Sequence, residues 1–157
     1  MFNGSQPSKG PDRLSNYMPQ TTTQKNSIHL LAASAMLVSF FLPWVKWEDN
    51  KMSGLDLPIG HFFNTSAEKF GLANPYPQFD ITFYLFLLIP VLTIVAAFQH
   101  IKGKKASWIA AIAGALSLTL ATMYVIFTHT LLDLGVGKSL AGMIQPSLYI
   151  HGLAALL

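Results

Sequence analysis

Three long stretches of the chain carry apolar residues without a single charged side chain. They are residues 28–45, 81–98 and 108–127, none of which contains Asp, Glu, Lys or Arg. Each is close to the ~20 residues that a helix needs to cross the hydrocarbon core of a bilayer. Backbone in lipid must satisfy its own hydrogen bonds, and these stretches lack the alternation of a barrel strand. The pattern therefore predicts transmembrane helices.

We expect an all-α, polytopic transmembrane bundle of four helices at about 28–47, 81–100, 108–128 and 139–157, with a hydrophilic outer loop over 48–80. Together they form a transmembrane domain over residues 28–157. The polar segment 1–27 cannot bury enough apolar area to fold alone, so we expect a disordered cytoplasmic tail.

The last predicted helix depends on where it begins. From Ser139 to Leu157 it would be about 28 Å long, which is just enough to span. If Pro146 instead forms the first helical turn, only about 18 Å of helix remains, which is too short to cross. In that case we expect the chain to continue beyond Leu157.

Lysine and arginine placement predicts the orientation. The short connection 101–107 contains Lys102, Lys104 and Lys105, and the N-terminal tail contains Lys9, Arg13 and Lys25. Basic residues in short segments stay on the cytoplasmic side, so the N-terminus should be cytoplasmic and the acidic loop 48–80 should face outward. Trp44 and Trp47 would then close the outer end of the first helix at the headgroup level.

Small residues recur along the first and third predicted helices. In lipid such residues let helix backbones approach each other closely. The third helix has Ala110, Ala113, Gly114, Ser117 and Ala121, and the first has Ala32, Ala35 and Ser39. We expect these faces to pack against neighbouring helices or a second copy of the chain, and Pro90 to kink the second helix.

Overall composition excludes several functions. Hydrophobic residues make up 52% of the 157 residues and charged residues only 11%, as expected for a protein that contacts the lipid bilayer. There is no cysteine, so disulfides, thiolate nucleophiles and iron–sulfur clusters are excluded. The net charge of +3 is spread over short flanking groups rather than gathered into a stripe, which argues against nucleic-acid binding.

Histidine is the remaining candidate for chemistry within the spans. His29 and His100 fall near the cytoplasmic ends of their helices, and His151 falls in the inner half of a fourth helix that begins near Ser139. Three imidazoles at one depth could hold a haem iron or a quinone, so these are the candidate cofactor-binding residues. The alternative is that His29 and His100 are interfacial and His151 bonds a neighbouring helix, and on that alternative no cofactor is bound.

Two short motifs flank the outer end of the first helix. They are Phe41-Leu42-Pro43-Trp44 and Ser53-Gly54-Leu55-Asp56-Leu57-Pro58. This pair resembles uncharacterised small four-helix proteins of the bacterial inner membrane, and the resemblance covers about twenty residues. It implies a multi-pass inner-membrane protein and no particular activity. Gly54 permits a turn, and the Asp56 carboxylate can accept hydrogen bonds from nearby backbone amides, so a structural role is favoured for these motifs.

Four kinds of function remain open from the sequence. The leading hypothesis is a non-enzymatic accessory, assembly or structural subunit of a larger membrane complex, because the chain is small and has small-residue faces. The alternatives are a haem- or quinone-binding subunit, a small channel or transporter, and a membrane enzyme with a site at Asp56, His61 and Glu68. The absence of charged residues in the first three spans argues against ion-coupled transport.

Overall fold

The computed structural model describes residues 21–74, 77, 80–104 and 107–157, with side chains from Ser27 onward. The elements follow in chain order as α1 (Thr21–Phe41), β1 (Pro43–Trp47), β2 (Asn50–Ser53), α2 (His61–Phe70), α3 (Asp80–Phe83), a 3-10 turn (Tyr84–Leu87), α4 (Leu88–Ile101), α5 (Ser107–Asp133), α6 (Leu140–Met143) and α7 (Pro146–Leu156). The described chain is mostly helical, as predicted, with one small sheet.

The first helix differs from its prediction at both ends. Residues 21–27 are helical rather than part of a disordered tail, and residues 1–20 of that predicted tail lie outside the described residues. The helix ends at Phe41 instead of continuing to residue 47. Pro43 cannot donate a backbone hydrogen bond and disfavours helical geometry at Leu42, so the chain leaves the helix there.

An antiparallel hairpin replaces the predicted outer end of that helix. Strand β1 pairs with β2, and Trp47 lies opposite Asn50. Trp44 and Trp47 lie in β1 rather than at the end of the first helix, and both are buried within the chain. The hairpin, the turn over residues 54–60 and α2 form a compact unit, here called the cap.

The second and third predicted helices are present and slightly longer than expected. The second runs without interruption from Asp80 to Ile101 and the third from Ser107 to Asp133. The second contains the 3-10 turn Tyr84–Leu87, shortly before Pro90. Pro90 has no N–H for the carbonyl of Phe86, and its ring crowds that carbonyl, so the helix is irregular where a distortion was predicted.

The last predicted helix is divided in two. Ile144 and Gln145 are extended, and the Gln145 N–H donates to the Trp44 carbonyl at 2.7 Å. Pro146 therefore occupies the first turn of α7, which matches the shorter alternative. Its 11 residues give about 17 Å of helix.

The long helices pack in a ring. Helix α1 contacts α4 and α7, and α5 contacts the same two helices. Helix α7 begins beside Trp44, and its Ala154 packs on Met36, so it runs antiparallel to α1. The bundle thus has one end that carries the cap and an opposite end that carries Lys102 and Lys104, here called the lysine end.

The core changes character along the bundle. Near the cap it is aromatic, with Phe40, Trp44, Phe62 and Tyr124 in one large cluster. Toward the lysine end it consists of small clusters dominated by alanine. The small-residue prediction is confirmed, because its members are buried or half-buried on α1 and α5, with Ala113 and Ser117 fully buried.

Two helical segments are long and apolar enough to cross a membrane. In Asp80–Ile101 and Ser107–Asp133, only 28% and 33% of the most apolar window is buried within the chain. A core helix of a soluble protein would be mostly covered by its own chain. The remaining apolar surface of these helices needs lipid or another protein against it.

Candidate functional site

His151 lies inside the bundle, toward its cap end, and is fully buried. Its Nδ1 lies 3.0 Å from the Ser39 hydroxyl and 3.1 Å from the Met36 carbonyl oxygen, both on α1. The imidazole packs against the indole of Trp44 at a centroid distance of 4.5 Å. Helix α7 begins at Pro146, beside Trp44. His151 follows Pro146 by little more than one turn, so it lies close to Trp44 and the end of α1.

The hydrogen bonds of His151 assign its tautomer. A backbone carbonyl can only accept, so the short contact to Met36 requires a proton on Nδ1. Nε2 then carries the lone pair, and it is buried without a hydrogen-bond partner among the described residues. The imidazole thereby ties α7 to α1 through one nitrogen only.

Ser39 links this histidine to the indole of Trp44. The Ser39 carbonyl accepts from Trp44 Nε1 at 2.6 Å, and the Ser39 hydroxyl donates to the Met36 carbonyl at 3.2 Å. The Ser39 carbonyl, near the end of α1, thus accepts from both the Leu42 amide and the Trp44 indole. The sequence alone indicated neither Ser39 nor Trp44 for this role, because the histidine that both contact is more than a hundred residues away in the chain.

The cap is fastened to α5 by Tyr124. The Tyr124 hydroxyl donates to the Ser53 carbonyl and accepts from the Leu57 amide at 3.0 Å. Asp56 closes the same turn, because its Oδ2 accepts from the Ser53 amide at 2.6 Å and from the Ser53 hydroxyl at 2.7 Å. Tyr124 is fully buried and anchors the cap to α5.

Gly54 joins the two sequence motifs into one unit. Its amide donates to the Phe40 carbonyl at 2.9 Å. A Cβ at this position would lie 2.7 Å from Cζ2 of Trp44 and 2.8 Å from the Phe40 oxygen. Only glycine therefore fits between these residues, and the motif pair has the structural role that the sequence favoured.

A second site lies toward the lysine end, in a groove between α1, α4, α5 and the end of α7. Its cavity volume is only about 60 Å³, and its walls are mainly alanine. His29 and His100 lie at its edge with their rings stacked, 5.1 Å between centroids and 14° between planes. Neither ring is hydrogen-bonded to a side chain or backbone group that the structure describes.

The three predicted cofactor histidines do not share one centre. Met36 contacts His151, and His29 lies seven residues before Met36, which is about 10 Å along α1. His151 thus lies toward the cap, and its partners are Ser39 and Met36 rather than the predicted histidines. Ring lone pairs lie in the ring plane, so the two stacked rings cannot both direct one at an ion between them. Haem binding remains a hypothesis from the sequence.

The polar residues of the cap do not form a metal-binding group. Asp56 is engaged with Ser53, while His61 and Glu68 are exposed on α2. No set of three His, Asp or Glu side chains is placed to hold a metal ion in the part of the chain that the structure describes. Comparisons of this chain with protein-family models, curated proteins and solved structures find no match.

Proposed function

We propose that this chain is a small multi-pass membrane protein that serves as a non-enzymatic accessory, assembly or structural subunit of a larger membrane complex. The observation that carries the proposal is how the bundle uses its buried polar groups. Apart from Nε2 of His151 in the bundle, and Nε1 of Trp47 and Nδ2 of Asn50 in the cap, the buried side-chain polar atoms that the structure describes bond to the chain's own atoms. They hold helices and cap together and leave no set of groups directed at a substrate.

The buried hydroxyls illustrate this use. Three of them donate to a carbonyl one turn earlier or to a side chain on a neighbouring helix, which satisfies them without a ligand. The pairs are Thr93 with the Ile89 carbonyl at 2.7 Å, Thr128 with the Tyr124 carbonyl at 2.6 Å and Ser117 with Met36 Sδ at 3.3 Å. A transporter or enzyme would need polar groups free to exchange partners with its substrate.

The exposed surface of α4 is the best candidate for contact with another subunit. Large apolar side chains recur on it every three or four residues, from Leu88 through Val91 and Val95 to Phe98, and are 38% to 60% exposed. Such a row lies on one side of a helix and can pack against a partner helix in the membrane. Lipid covers it when the partner is absent.

The proposed orientation places the cap outside and the lysine end in the cytoplasm. All acidic side chains that the structure describes lie at or near the cap end, and Lys102 and Lys104 lie at the other end. This segregation follows the tendency of Lys and Arg in short loops to remain cytoplasmic. The proposed location is the bacterial inner membrane.

Cysteine labelling tests the orientation. Ala67→Cys is exposed on α2 of the cap and should react with a membrane-impermeant thiol reagent in intact cells, whereas Lys104→Cys should react only after the membrane is opened. The native chain has no cysteine, so the background is zero. The neighbouring Ser66 is fully buried and is unsuitable as a reporter. Labelling of Lys104→Cys from outside would refute the orientation.

Photo-crosslinking tests the subunit role. A photoreactive amino acid at Val95 should give one discrete adduct with another membrane protein, and the same residue at exposed Lys51 on the cap serves as the control. Deletion of this chain should lower the assembled amount of the complex that contains the crosslinked protein. Lipid adducts alone at Val95, with no complex affected by the deletion, would refute the proposal.

A further inference from the structure

A groove opens at the edge of the cap, between strand β1 and the connection from α5 to α6. Lys46 and Trp47 line one wall, and Gly137, Lys138 and Ser139 line the other. Its cavity volume is about 300 Å³, at the lower end of the range of small-molecule sites, roughly 300–1,000 Å³. All the residues that line it lie within described stretches of the chain, away from both chain ends.

Glycine at position 137 gives the second wall its shape. A Cβ there would lie 2.5 Å from Sδ of the buried Met143, so glycine lets the backbone pass close to α6. The backbone amides of Lys138 and Ser139 donate to no group among the described residues. The Ser139 hydroxyl accepts from the Gly142 amide at 3.2 Å, which leaves its own proton free to donate. This wall therefore carries hydrogen-bond donors that the chain does not use.

The groove contains more positive than negative charge. Lys46 and Lys138 are exposed on opposite walls, and neither forms an ion pair with any residue that the structure describes. Glu48 also lines the groove, but its carboxylate lies 3.9 Å from the ammonium of Lys69, which is not part of the lining. Trp47 is buried, and its Nε1–H has no acceptor among the described residues. The complementary ligand is therefore an anion with several acceptor oxygens.

We propose that this groove binds a phosphate group. The phosphate oxygens accept hydrogen bonds from the ammonium groups of Lys46 and Lys138 and from the donors of residues 138–139. Helix α5, which ends just before the groove, has 27 residues and is about 40 Å long, more than the ~30 Å of a hydrocarbon core. Its end therefore reaches the headgroup region, where both a phospholipid headgroup and a soluble phosphate are available.

The proposal is independent of the proposed subunit role. Its ligand is a phosphate group and its residues are on the cap and the α5–α6 connection, whereas the subunit role concerns the exposed surface of α4. Either can fail while the other stands.

Binding to the purified full chain in mild detergent provides the test, with one arm for each source of phosphate. In the lipid arm the protein is offered phosphatidylglycerol or diacylglycerol, which has the same acyl chains and no phosphate, and native mass spectrometry measures the bound fraction. In the soluble arm, calorimetry measures the binding of inorganic phosphate, with chloride as the control anion.

The two arms distinguish the sources. A preference for phosphatidylglycerol that millimolar inorganic phosphate leaves intact identifies a lipid headgroup. Calorimetric binding of inorganic phosphate, without a preference between the two lipids, identifies a soluble phosphate. No preference in the lipid arm and no binding in the soluble arm would overturn the proposal.

Two pairs of variants locate the site. Lys46→Gln with Lys138→Gln should weaken binding by up to about 25-fold, since each lysine near an anionic headgroup contributes about fivefold. Lys102→Gln with Lys104→Gln removes the same charge at the lysine end and should leave binding unchanged. All four lysines are exposed, so neither pair disturbs the core. Binding that survives the first pair, or that falls equally with the second, contradicts the assignment.

A second comparison tests the groove itself. Gly142 lines the groove, and a Cβ there would meet only the Ser139 hydroxyl, at 3.2 Å, so Gly142→Leu introduces its side chain beside another residue of the lining. It should lower binding several-fold, whereas Ala141→Leu, at an exposed position that does not line the groove, should not. Circular dichroism checks that both variants fold. If Gly142→Leu folds and binds as well as Ala141→Leu, the phosphate binds elsewhere and the proposal is wrong.

Discussion

Gly114 and Gly152 permit a controlled test of helix packing, because the same substitution meets opposite surroundings. Gly114 lies on the buried small-residue face of α5, and a Cβ there would be 2.6 Å from the backbone oxygen of Ala155 on α7. Gly152 lies within α7, and a Cβ there would meet nothing within 4 Å. Each residue becomes Ala in the two variants to be compared.

The expected magnitude follows from the contact distance. Ordinary contacts of a Cβ begin near 3.4 Å, so α5 and α7 must separate locally by about 3.4 − 2.6 = 0.8 Å to accept Gly114→Ala. The obstructing atom is backbone and cannot rotate away. Overpacking of this kind costs about 1–3 kcal/mol, and the higher helix propensity of Ala returns at most about 1 kcal/mol.

The two variants should therefore differ in stability. Gly152→Ala gains the helix propensity without a clash and should stabilise the protein by up to about 1 kcal/mol. Since the propensity gain is common to both, the difference between the variants should equal the overpacking cost, about 1–3 kcal/mol. Gly114→Ala is expected to be the less stable of the two.

Unfolding in mixed micelles provides the measurement. Each variant is titrated with sodium dodecyl sulfate in a mild detergent, and far-UV circular dichroism reports helix content. The wild-type chain should unfold at a sodium dodecyl sulfate concentration between those of the two variants, or close to that of Gly114→Ala. If Gly114→Ala is as stable as Gly152→Ala, the close approach of α5 and α7 is absent in solution and the overpacking explanation is wrong.

Two further predictions concern the buried polar contacts. His151→Ala should destabilise the protein by about 2–4 kcal/mol, because the variant loses the hydrogen bond to Met36 and leaves a cavity. His151→Gln should keep part of that stability. Equal unfolding midpoints of the two variants would mean that the imidazole contributes only volume. Tyr124→Phe leaves the buried Leu57 amide without an acceptor and should cost about 1–3 kcal/mol, with faster hydrogen exchange in residues 53–57. The exposed Tyr149→Phe is the control and should change neither quantity.

The sequence alone determined the features that depend on local composition. Long uncharged stretches predicted the helices Asp80–Ile101 and Ser107–Asp133 to within a few residues, because hydrophobic length is a property of the chain itself. The small-residue faces of α1 and α5 were also found, since their three- and four-residue spacing is visible in the sequence. Proline at position 146 correctly marked one of the two possible starts of the last helix.

Only the tertiary structure decided the conformation of the segment after the first helix. Pro43 is a local signal against continuing the helix, but nothing else in the short segment Pro43–Trp47 distinguishes a loop from a strand. Its strand geometry depends on partners far along the chain, since β2 pairs with it, Ile144 forms an isolated bridge to Val45 and Gln145 bonds to the Trp44 carbonyl. No local signal in residues 43–47 contains this information.

The depth of His151 was decided in the same way. Its place along the bundle is set by the helix start at Pro146, and that start is fixed where Gln145 and Ser147 bond to the carbonyls of Trp44 and Pro43. A helix beginning at Ser139 would have carried the imidazole toward the lysine end, near His29. The sequence could name the histidine, but these contacts, about a hundred residues apart in the chain, decided which groups it meets.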